Sequence, residues 1–301
     1  MMAYNIKSIK QEFKDKGIFY TPEDLALLMK SYTKKPKSVY DPTCGDGMLL
    51  SMYDDDVEKY GQEINQEQLE IAKKRLVNFT GVCGDTLKQP AFIGKKFDCI
   101  VANYPFSISW DDNVGDDERF ASAPCVPPKS KADYAFLLHI IHYLSNNGKA
   151  VTLNFPGILY RGGREGVLRK WFVDNNYIEK IVLIPGDTFV DTKIQTVLMI
   201  LSKNKTTTDI EFEDLHIKKS RFVSVDEISE NGYILSPNIY VYNEPPVIKI
   251  DPLVQNNTAR QRMITLLKAD LLMELEISKL EGWDINEYID ALSETINRFR
   301  Q

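Results

Sequence analysis

The sequence is poor in cysteine and has no long hydrophobic run. Its four cysteines are too few for a disulfide framework, and without a C-x-x-C pair they do not predict a metal cluster: Cys44, Cys83, Cys99 and Cys125. No run approaches the roughly 18 apolar residues of a membrane span, and the first residues lack the apolar segment of a signal peptide. These absences predict a cytoplasmic protein with reduced thiols, no metal and no membrane partner.

Positive charge is also in short supply. Lys and Arg total 37 against 43 Asp and Glu, which gives a net charge of −6 and an isoelectric point near 5.3. This balance excludes a polycation that binds nucleic acid through charge alone. The 301 residues predict about two domains, or one large α/β domain with an appendage.

Short apolar runs alternate with amphipathic stretches from Thr21 to Lys203. The apolar runs predict strands at Ser38–Asp41, Glu58–Glu63, Thr80–Gly84, Phe97–Ala102, Lys149–Asn154, Lys180–Ile184 and Thr196–Leu201. The amphipathic stretches predict helices at Pro22–Tyr32, Gln66–Asn78, Ala132–Leu144 and Gly163–Asn175. Buried strands separated by helices predict a doubly wound, mostly parallel α/β sheet, which an antiparallel last pair closes.

The remaining stretches break this alternation. Ser107–Lys131 is acidic, proline-rich and without periodicity, which predicts a functional or disordered loop. Short strands and turns are expected over Thr206–Pro246. From Arg260 an apolar stripe predicts a helix that ends near Gly282, and Asp284 with Glu287 predicts the start of a second helix.

The segment SVYDPTCGDGMLL, Ser38–Leu50, carries the first chemical signal. A strand ends in an acid, and a turn with Gly45 and Gly47 then opens into an apolar helix. Such glycines let the backbone approach a ligand at the carboxyl end of a strand. The segment lacks the third glycine of the dinucleotide-binding motif G-x-G-x-x-G and the G-K-[ST] of a phosphate-binding loop. It therefore predicts a site that does not bind its ligand through phosphate groups.

Two further strands end in acids. Glu63 follows about twenty residues later, at the position that binds ribose hydroxyls in nucleotide folds. Asp85 follows the third strand and can accept a hydrogen bond from an adenine amino group. Each acid alone is more typical of a cap or a solvated loop, whereas all three in order predict an adenosine site.

The fourth strand ends in FDCIVANYPF, Phe97–Phe106. The Asn103 side chain and the carbonyl before Pro105 can accept two hydrogen bonds from a planar amino group. Phe106 can stack on the base that carries this group. A simple strand-ending turn, in which Asn and Pro are common, remains the alternative at this point.

In this order the motifs resemble those of adenine N6 DNA methyltransferases that use S-adenosylmethionine, in particular the catalytic part of type I restriction–modification methylation subunits. The resemblance covers Gly17–Tyr242 and rests on GIFYTP (Gly17–Pro22), DPTCGDG (Asp41–Gly47), GQEIN (Gly61–Asn65), GDTL (Gly84–Leu87) and NYPF (Asn103–Phe106). It implies the class I methyltransferase fold, a Rossmann-like sheet of seven strands, here with a C-terminal helical tail.

The resemblance also implies a role for individual residues. The S-adenosylmethionine site is expected at Phe19, Tyr20, Thr21 and Pro22 (methionine end), Asp41, Thr43, Cys44 and Gly45 (amino and carboxylate groups), Glu63 (ribose), Ile64 and Asp85 (adenine), with Gly47 and Thr86 as further cofactor-binding residues. A flipped target adenine is expected at Asn103, Tyr104, Pro105 and Phe106. Methyl transfer by direct displacement then needs alignment and no general base.

The chain departs from this family in two respects. Tyr104 stands where proline is usual, which keeps the backbone carbonyl and loses the stiffness of a second proline. The sequence shows neither the long helical domain that precedes the cofactor motif in type I subunits nor a recognisable target-recognition domain. We therefore expect a separate, more basic specificity subunit to help bind DNA, and self-association through the C-terminal helices as a further contact.

These expectations divide the chain into four parts. They are an N-terminal helical segment with the first cofactor motif (residues 1–36), the catalytic core (37–205), a strand and turn extension (206–250) and the helical tail (251–301). His139 and His142 are expected to pack rather than to bind metal, and Trp110 is expected in a lid or a DNA-contacting element. The turn from Arg161 to Arg164 is either a phosphate contact or a solvated turn.

Two other functions stay open. An Asn-x-Pro-aromatic site also suits planar amides, so the acceptor could be RNA or a protein glutamine, although GIFYTP favours DNA. Alternatively, Tyr104 and the missing recognition domain are compatible with a degenerate methyltransferase fold that only binds. The complete set of cofactor motifs favours the enzyme.

Overall fold

The computed structural model describes residues 21–186, 195–242 and 252–298 of the protein. The predicted cofactor residues Phe19 and Tyr20 lie outside these ranges. The chain divides into two compact units, Met1–Asn243 and Glu244–Gln301, and each is described by itself.

Within the described residues of the first unit, nine strands form one sheet in the order β3-β2-β1-β4-β5-β7-β6-β8-β9. Neighbouring strands run parallel from β3 to β5, and β7 pairs antiparallel with both β5 and β6. The strands are β1 (Ser38–Asp41), β2 (Glu58–Glu63), β3 (Phe79–Cys83), β4 (Phe97–Ala102), β5 (Leu144–Asn154), β6 (Ile178–Ile184), β7 (Thr196–Ser202), β8 (Ile210–Asp214) and β9 (Lys219–Val223).

Helices cover both faces of this sheet. Buried side chains of α1 and α3 belong to the apolar cluster on one face, and those of α5 and α6 belong to the cluster on the other. The helices of the first unit are α1 (Glu23–Ser31), α2 (Met48–Ser51), α3 (Gln66–Arg75), α4 (Glu118–Ala121), α5 (Asp133–Tyr143), α6 (Arg164–Asp174), α7 (Val225–Glu230) and α8 (Pro237–Tyr240), with a 3₁₀ turn at Pro156–Leu159.

The predicted doubly wound, mostly parallel sheet is confirmed, and so is its antiparallel closing pair. The expected seven strands become nine because the stretch after residue 205 adds β8 and β9 to the same sheet. β8 pairs parallel with β6, and Lys180 forms ion pairs across this pairing with Glu211 and Glu213 at 3.1 and 2.7 Å.

The acidic stretch Ser107–Lys131 has a defined structure. It contains α4, whose N-cap Asp117 accepts a hydrogen bond from the backbone N–H of Arg119 at 3.0 Å. Trp110 is buried, packs against Phe120 with its ring tilted by 32°, and donates its indole N–H to the Pro128 carbonyl at 3.1 Å. A few inward side chains therefore order a stretch that has no periodic pattern.

The second unit contains two helices, α9 (Pro252–Glu281) and α10 (Ile285–Arg298). Gly282 ends α9 with a positive φ of 75°, and Asp284 starts α10 by accepting from the backbone N–H of Asn286 at 3.0 Å. In the part of the chain that the structure describes, we find no helix that is long and apolar enough to cross a membrane. The four cysteines are free thiols.

Candidate active site

A cavity of about 400 Å³ lies where the strand order reverses, between β1 and β4. Parallel α/β sheets bind ligands at this switch point, beyond the carboxyl ends of the strands. The volume falls within the range of about 300–1,000 Å³ that is usual for small-molecule sites. Eight of the predicted site residues line it: Thr43, Gly45, Glu63, Ile64, Asp85, Thr86, Asn103 and Pro105.

The turn after β1 begins at Asp41, which is only 2% exposed. Its Oδ1 accepts from the backbone N–H of Thr43 at 2.9 Å, so the carboxyl group shapes the turn. Burial raises the pKa of Asp41 to about 8, and the negative charge of Glu63 acts in the same direction. The hydrogen bond from Thr43 opposes this shift without cancelling it.

Glu63 connects two backbone segments beside the cavity. Its Oε2 accepts from the N–H of Gly45 at 2.8 Å, and its Oε1 accepts from the N–H of Asn65 at 2.9 Å. Gly45 has φ +51°, and a Cβ built on it would meet nothing within 4 Å. Glu63 therefore fixes the glycine turn, and each of its oxygens keeps capacity for a further donor.

Cys44 and Gly47 belong to the same turn and do not line the cavity. The Cys44 side chain is buried against Gly61, where an added Cβ would lie 2.7 Å from the sulfur. Gly47 has φ +83°, and its added Cβ would lie 2.8 Å from a methyl group of Leu76. Both residues serve the packing of this turn against β2 and α3.

The turn after β3 supplies another wall of the cavity. Asp85 Oδ1 accepts from the backbone N–H groups of Leu87 and Lys88 at 2.9 and 3.3 Å. The Thr86 hydroxyl donates to the carbonyl of Pro42, which ties this turn to the one after β1. Ile64 lines the cavity with 68% of its surface exposed, an uncovered apolar side chain between two acids.

Asn103 directly follows β4, and its side chain contacts Thr21 of the GIFYTP segment. Its Nδ2 donates to Thr21 Oγ1 at 3.0 Å. Because this bond uses a donor of the amide, the oxygen Oδ1 remains available as an acceptor. Thr21 is buried and does not line the cavity, and neither does Pro22, the N-cap of α1. In the structure Thr21 contacts Asn103, and its contact with the cofactor stays a prediction.

Tyr104 is anchored in the core and does not line the cavity. The ring is 1% exposed and stacks on Phe136 of α5, with centroids 4.8 Å apart and an interplanar angle of 13°. Its hydroxyl donates to Oδ1 of Asn154, the last residue of β5. Phe106 is half-buried and meets Tyr104 edge to face at 6.2 Å.

Several residues in or beside the cavity wall were not predicted to be there. Trp110 and Phe136 line it, so the expected lid tryptophan is a buried wall residue. Arg119 is buried nearby and donates to the carbonyls of Thr86 and Leu87. His139 packs as expected, hydrogen-bonded to Tyr40 and Arg119 at 3.0 Å. Arg119 lies 32 positions from Leu87 in an aperiodic stretch, and no sequence pattern indicates that contact.

Comparison with known proteins places this chain in a family. Residues 4–221 match the N-6 DNA Methylase family. The chain is 28% identical to the type I restriction enzyme MpnII methylase subunit of Mycoplasma pneumoniae, in an alignment that covers 91% of this chain and 62% of that protein. The chain therefore spans less than two thirds of the length of that curated relative.

Solved structures agree with this match. The methyltransferase subunit of a type I restriction–modification system from Streptococcus thermophilus has a TM-score of 0.69 and 29% identity, over 74% of this chain and 59% of that chain. A class I S-adenosylmethionine-dependent methyltransferase from Listeria monocytogenes, at 18% identity and a TM-score of 0.51 over 67% of this chain and 69% of that chain, shares the fold alone. The class I fold and the resemblance to type I methylation subunits are confirmed. Since the matched region spans well over half of the sequence, the protein belongs to the N-6 DNA methylase family.

Proposed function

We propose that the protein is a DNA methyltransferase that transfers a methyl group from S-adenosylmethionine to the N6 amino group of adenine, as the modification subunit of a restriction–modification-like system or as a mobile-element homologue. The observation that carries this proposal is the convergence of Glu63, Asp85 and Asn103, from three strand ends, on one cavity. Membership of the N-6 DNA methylase family supports both the reaction and the acceptor.

The residues around the cavity fit the chemistry of S-adenosylmethionine. Glu63 and Asp85 offer carboxylate oxygens to the ribose hydroxyls and the adenine amino group, and Ile64 offers apolar surface to the ring. The open backbone at Gly45 suits the close approach of the methionine end. Bound there, the cofactor supplies an electrophilic methyl group carried on a sulfonium.

In this proposal Asn103 and Tyr104 hold the target amino group. Oδ1 of Asn103 and the backbone carbonyl of Tyr104 accept its two hydrogens, and the nitrogen lone pair is then directed at the methyl carbon. With the cofactor bound, the N–C bond would form as the C–S bond breaks, the electron pair of the C–S bond would stay on sulfur, and one amino proton would leave to solvent. Thr21 contributes by holding the Asn103 amide in the required orientation. The rate gain comes from alignment, so no basic side chain is required.

The test is methyl transfer from radiolabelled S-adenosylmethionine to DNA, with Asn103→Ala as the diagnostic variant. We expect the variant to bind the cofactor with unchanged affinity in calorimetry and to lose about 100-fold or more in transfer rate, since alignment is lost. Sequencing that detects N6-methyladenine in DNA from cells with and without the gene would give the recognition motif. Transfer to RNA or to glutamine peptides in place of DNA would contradict the acceptor, and absence of cofactor binding would contradict the enzyme.

A separate specificity subunit is part of this proposal. The chain has a net charge of −6, which disfavours unaided binding of DNA phosphates. In the second unit, α9 exposes large apolar side chains that suit a protein partner: Met263, Leu266, Leu272, Met273 and Leu280. Sedimentation of the purified chain distinguishes self-association from binding to a different subunit. Self-association through these helices gives the mass of a dimer, whereas a surface that binds only a specificity subunit gives the mass of a monomer.

A further inference from the structure

A buried guanidinium lies directly behind the predicted adenine subsite. Arg119 of α4 is 4% exposed, and it is not among the residues that line the cavity. Its Nη1 donates to the Thr86 carbonyl at 2.8 Å, and its Nη2 donates to the Leu87 carbonyl at 2.6 Å. Both acceptors belong to the turn that follows Asp85, so the loop after the Asn103–Phe106 motif reaches back to hold the turn after β3.

The geometry of that turn links Arg119 to Asp85 through two peptide groups. In the first, the Thr86 oxygen accepts from Arg119 while the Leu87 N–H donates to Asp85 Oδ1 at 2.9 Å. In the second, the Leu87 oxygen accepts from Arg119 while the Lys88 N–H donates to the same Oδ1 at 3.3 Å. Because a peptide group is planar, fixing its oxygen also fixes the direction of its N–H. The guanidinium thereby determines where the Asp85 carboxylate is held.

Arg119 is itself held in place on its remaining sides. Asp117 accepts from Nε at 3.0 Å and from Nη2 at 2.5 Å, in the paired geometry that gives strong charge-assisted bonds. His139 Nδ1 lies 3.0 Å from Nη1 and must accept, since arginine carries only donors, so its Nε2–H points to the Tyr40 hydroxyl. Burial, and next the charge of Arg119, lower the pKa of His139, so the ring stays neutral.

We propose that Arg119 is a positioning residue that, through the peptide groups of Thr86–Leu87 and Leu87–Lys88, aims the Asp85 carboxylate at the adenine amino group of the cofactor. The proposal rests on the proposed function, because it presumes the adenosine moiety in this cavity. It assigns a role in cofactor selection to the acidic stretch Ser107–Lys131. A loss of Arg119 therefore weakens recognition of one functional group of the ligand, beyond any effect on stability.

The experiment compares two probes that differ at that group. S-adenosylhomocysteine carries the 6-amino donor, whereas S-inosylhomocysteine carries a 6-oxo acceptor, and both Kd values are measured by calorimetry. We expect the wild-type protein to prefer the adenosyl ligand by about 10- to 100-fold, the range for one hydrogen bond to a charged group. We expect Arg119→Lys to reduce this preference about tenfold, because a lysine cannot hold both carbonyls and Asp117 in one plane.

Arg169→Lys is the matched control. Arg169 is also a buried arginine, and it donates to the carbonyls of Tyr233 and Arg161 at 2.6 and 2.8 Å, away from the residues of the cavity. This variant is expected to keep the preference even if it is destabilised. Should Arg119→Lys fail to fold, Asp117→Asn leaves the guanidinium present but less firmly held, and a smaller reduction in the same direction is expected.

The outcomes separate this inference from the proposed function. A protein that binds neither ligand contradicts the proposed function itself. Equal binding of both ligands is compatible with the proposed function. It contradicts recognition of the adenine amino group by Asp85, and with it the role of Arg119. An unchanged preference in Arg119→Lys, or in Asp117→Asn where the lysine variant does not fold, overturns the inference directly.

Discussion

The anchoring of Tyr104 gives the sharpest prediction of the structure. Removing only its hydroxyl, in Tyr104→Phe, leaves Oδ1 of Asn154 without the donor that it has in the native core. Asn154 is fully buried, and its Nδ2 is already used by Thr152. An unsatisfied buried acceptor costs about 1–3 kcal/mol, so we expect a loss of that size in the free energy of unfolding.

The same variant is expected to slow methyl transfer by up to about tenfold. A displacement of about 1 Å at a reacting group costs about 100-fold in rate, and the retained stacking on Phe136 limits how far the Tyr104 carbonyl can shift. Tyr240→Phe is the matched control, because Tyr240 is equally buried and donates its hydroxyl to the Ile234 carbonyl. The control is expected to lose only about 0.5–1.5 kcal/mol of stability, because Ile234 is half-buried and water can replace the lost donor, and to keep the wild-type transfer rate.

Urea unfolding followed by circular dichroism measures the stability, and label transfer to DNA measures the rate. Tyr104→Pro completes the set, because it restores the usual family residue while deleting the ring. Losing a buried aromatic costs about 3–5 kcal/mol, and proline returns only about 0.4–1 kcal/mol through the unfolded state. A Tyr104→Pro protein that is more stable and more active than wild type would refute the view that this side chain replaces the second proline.

Two further predictions concern the turn after β1. The pKa of Asp41 in the folded protein, about 8, lies above the ordinary 3.8, so the native state holds the proton more tightly than the unfolded chain does. The free energy of unfolding should therefore fall as the pH rises from about 4 to 8, by up to about 1.4 kcal/mol per pH unit. Asp41→Asn should flatten this slope in urea unfolding at several pH values, and an unchanged slope would contradict the assignment to Asp41. Gly47→Ala should lower the free energy of unfolding by about 2–4 kcal/mol, because alanine would have to adopt a positive φ and its Cβ would lie 2.8 Å from Leu76. Gly115→Ala, with a positive φ in open space, should cost only about 1–2 kcal/mol, and equal losses in the two variants would remove the packing argument.

The sequence was sufficient to predict the features that follow from the order of strands and motifs along the chain. The bounds of β1, β2 and β4 are as predicted. Each strand contains buried residues, and each ends at a polar residue or directly before one: Asp41, Glu63 and Asn103. The carboxyl ends of parallel neighbours share one edge of a sheet, so the meeting of Glu63, Asp85 and Asn103 follows from the strand order. The predicted α3 is too long by three residues, because Leu76 already has an extended backbone and Asn78 has φ +52°.

What the sequence could not supply are contacts between distant, aperiodic residues. Tyr104 looks like the loss of a rigid proline, whereas the structure stiffens the same position through Phe136 and Asn154, 32 and 50 residues away. Arg119 looks like one charge in a solvated acidic loop and is in fact a saturated buried guanidinium. In both cases the contacts join residues that lie far apart in the sequence, and only the packed chain reveals the partners.

The charge of Arg161 bears on how DNA would be held. The turn Arg161–Arg164 offers two cations beside a helix N-terminus, which makes it a candidate phosphate contact. In the structure, however, Arg161 faces the buried carboxylates of Asp133 and Glu165 at 3.6 and 3.5 Å. Drawing it out to a phosphate would take the ion-pair partner away from two buried acids, which is unfavourable. Only Arg164 of this pair is exposed, so the turn offers DNA one cation in place of two. This shortage of available positive charge, together with the net charge of −6, supports the proposed separate basic subunit.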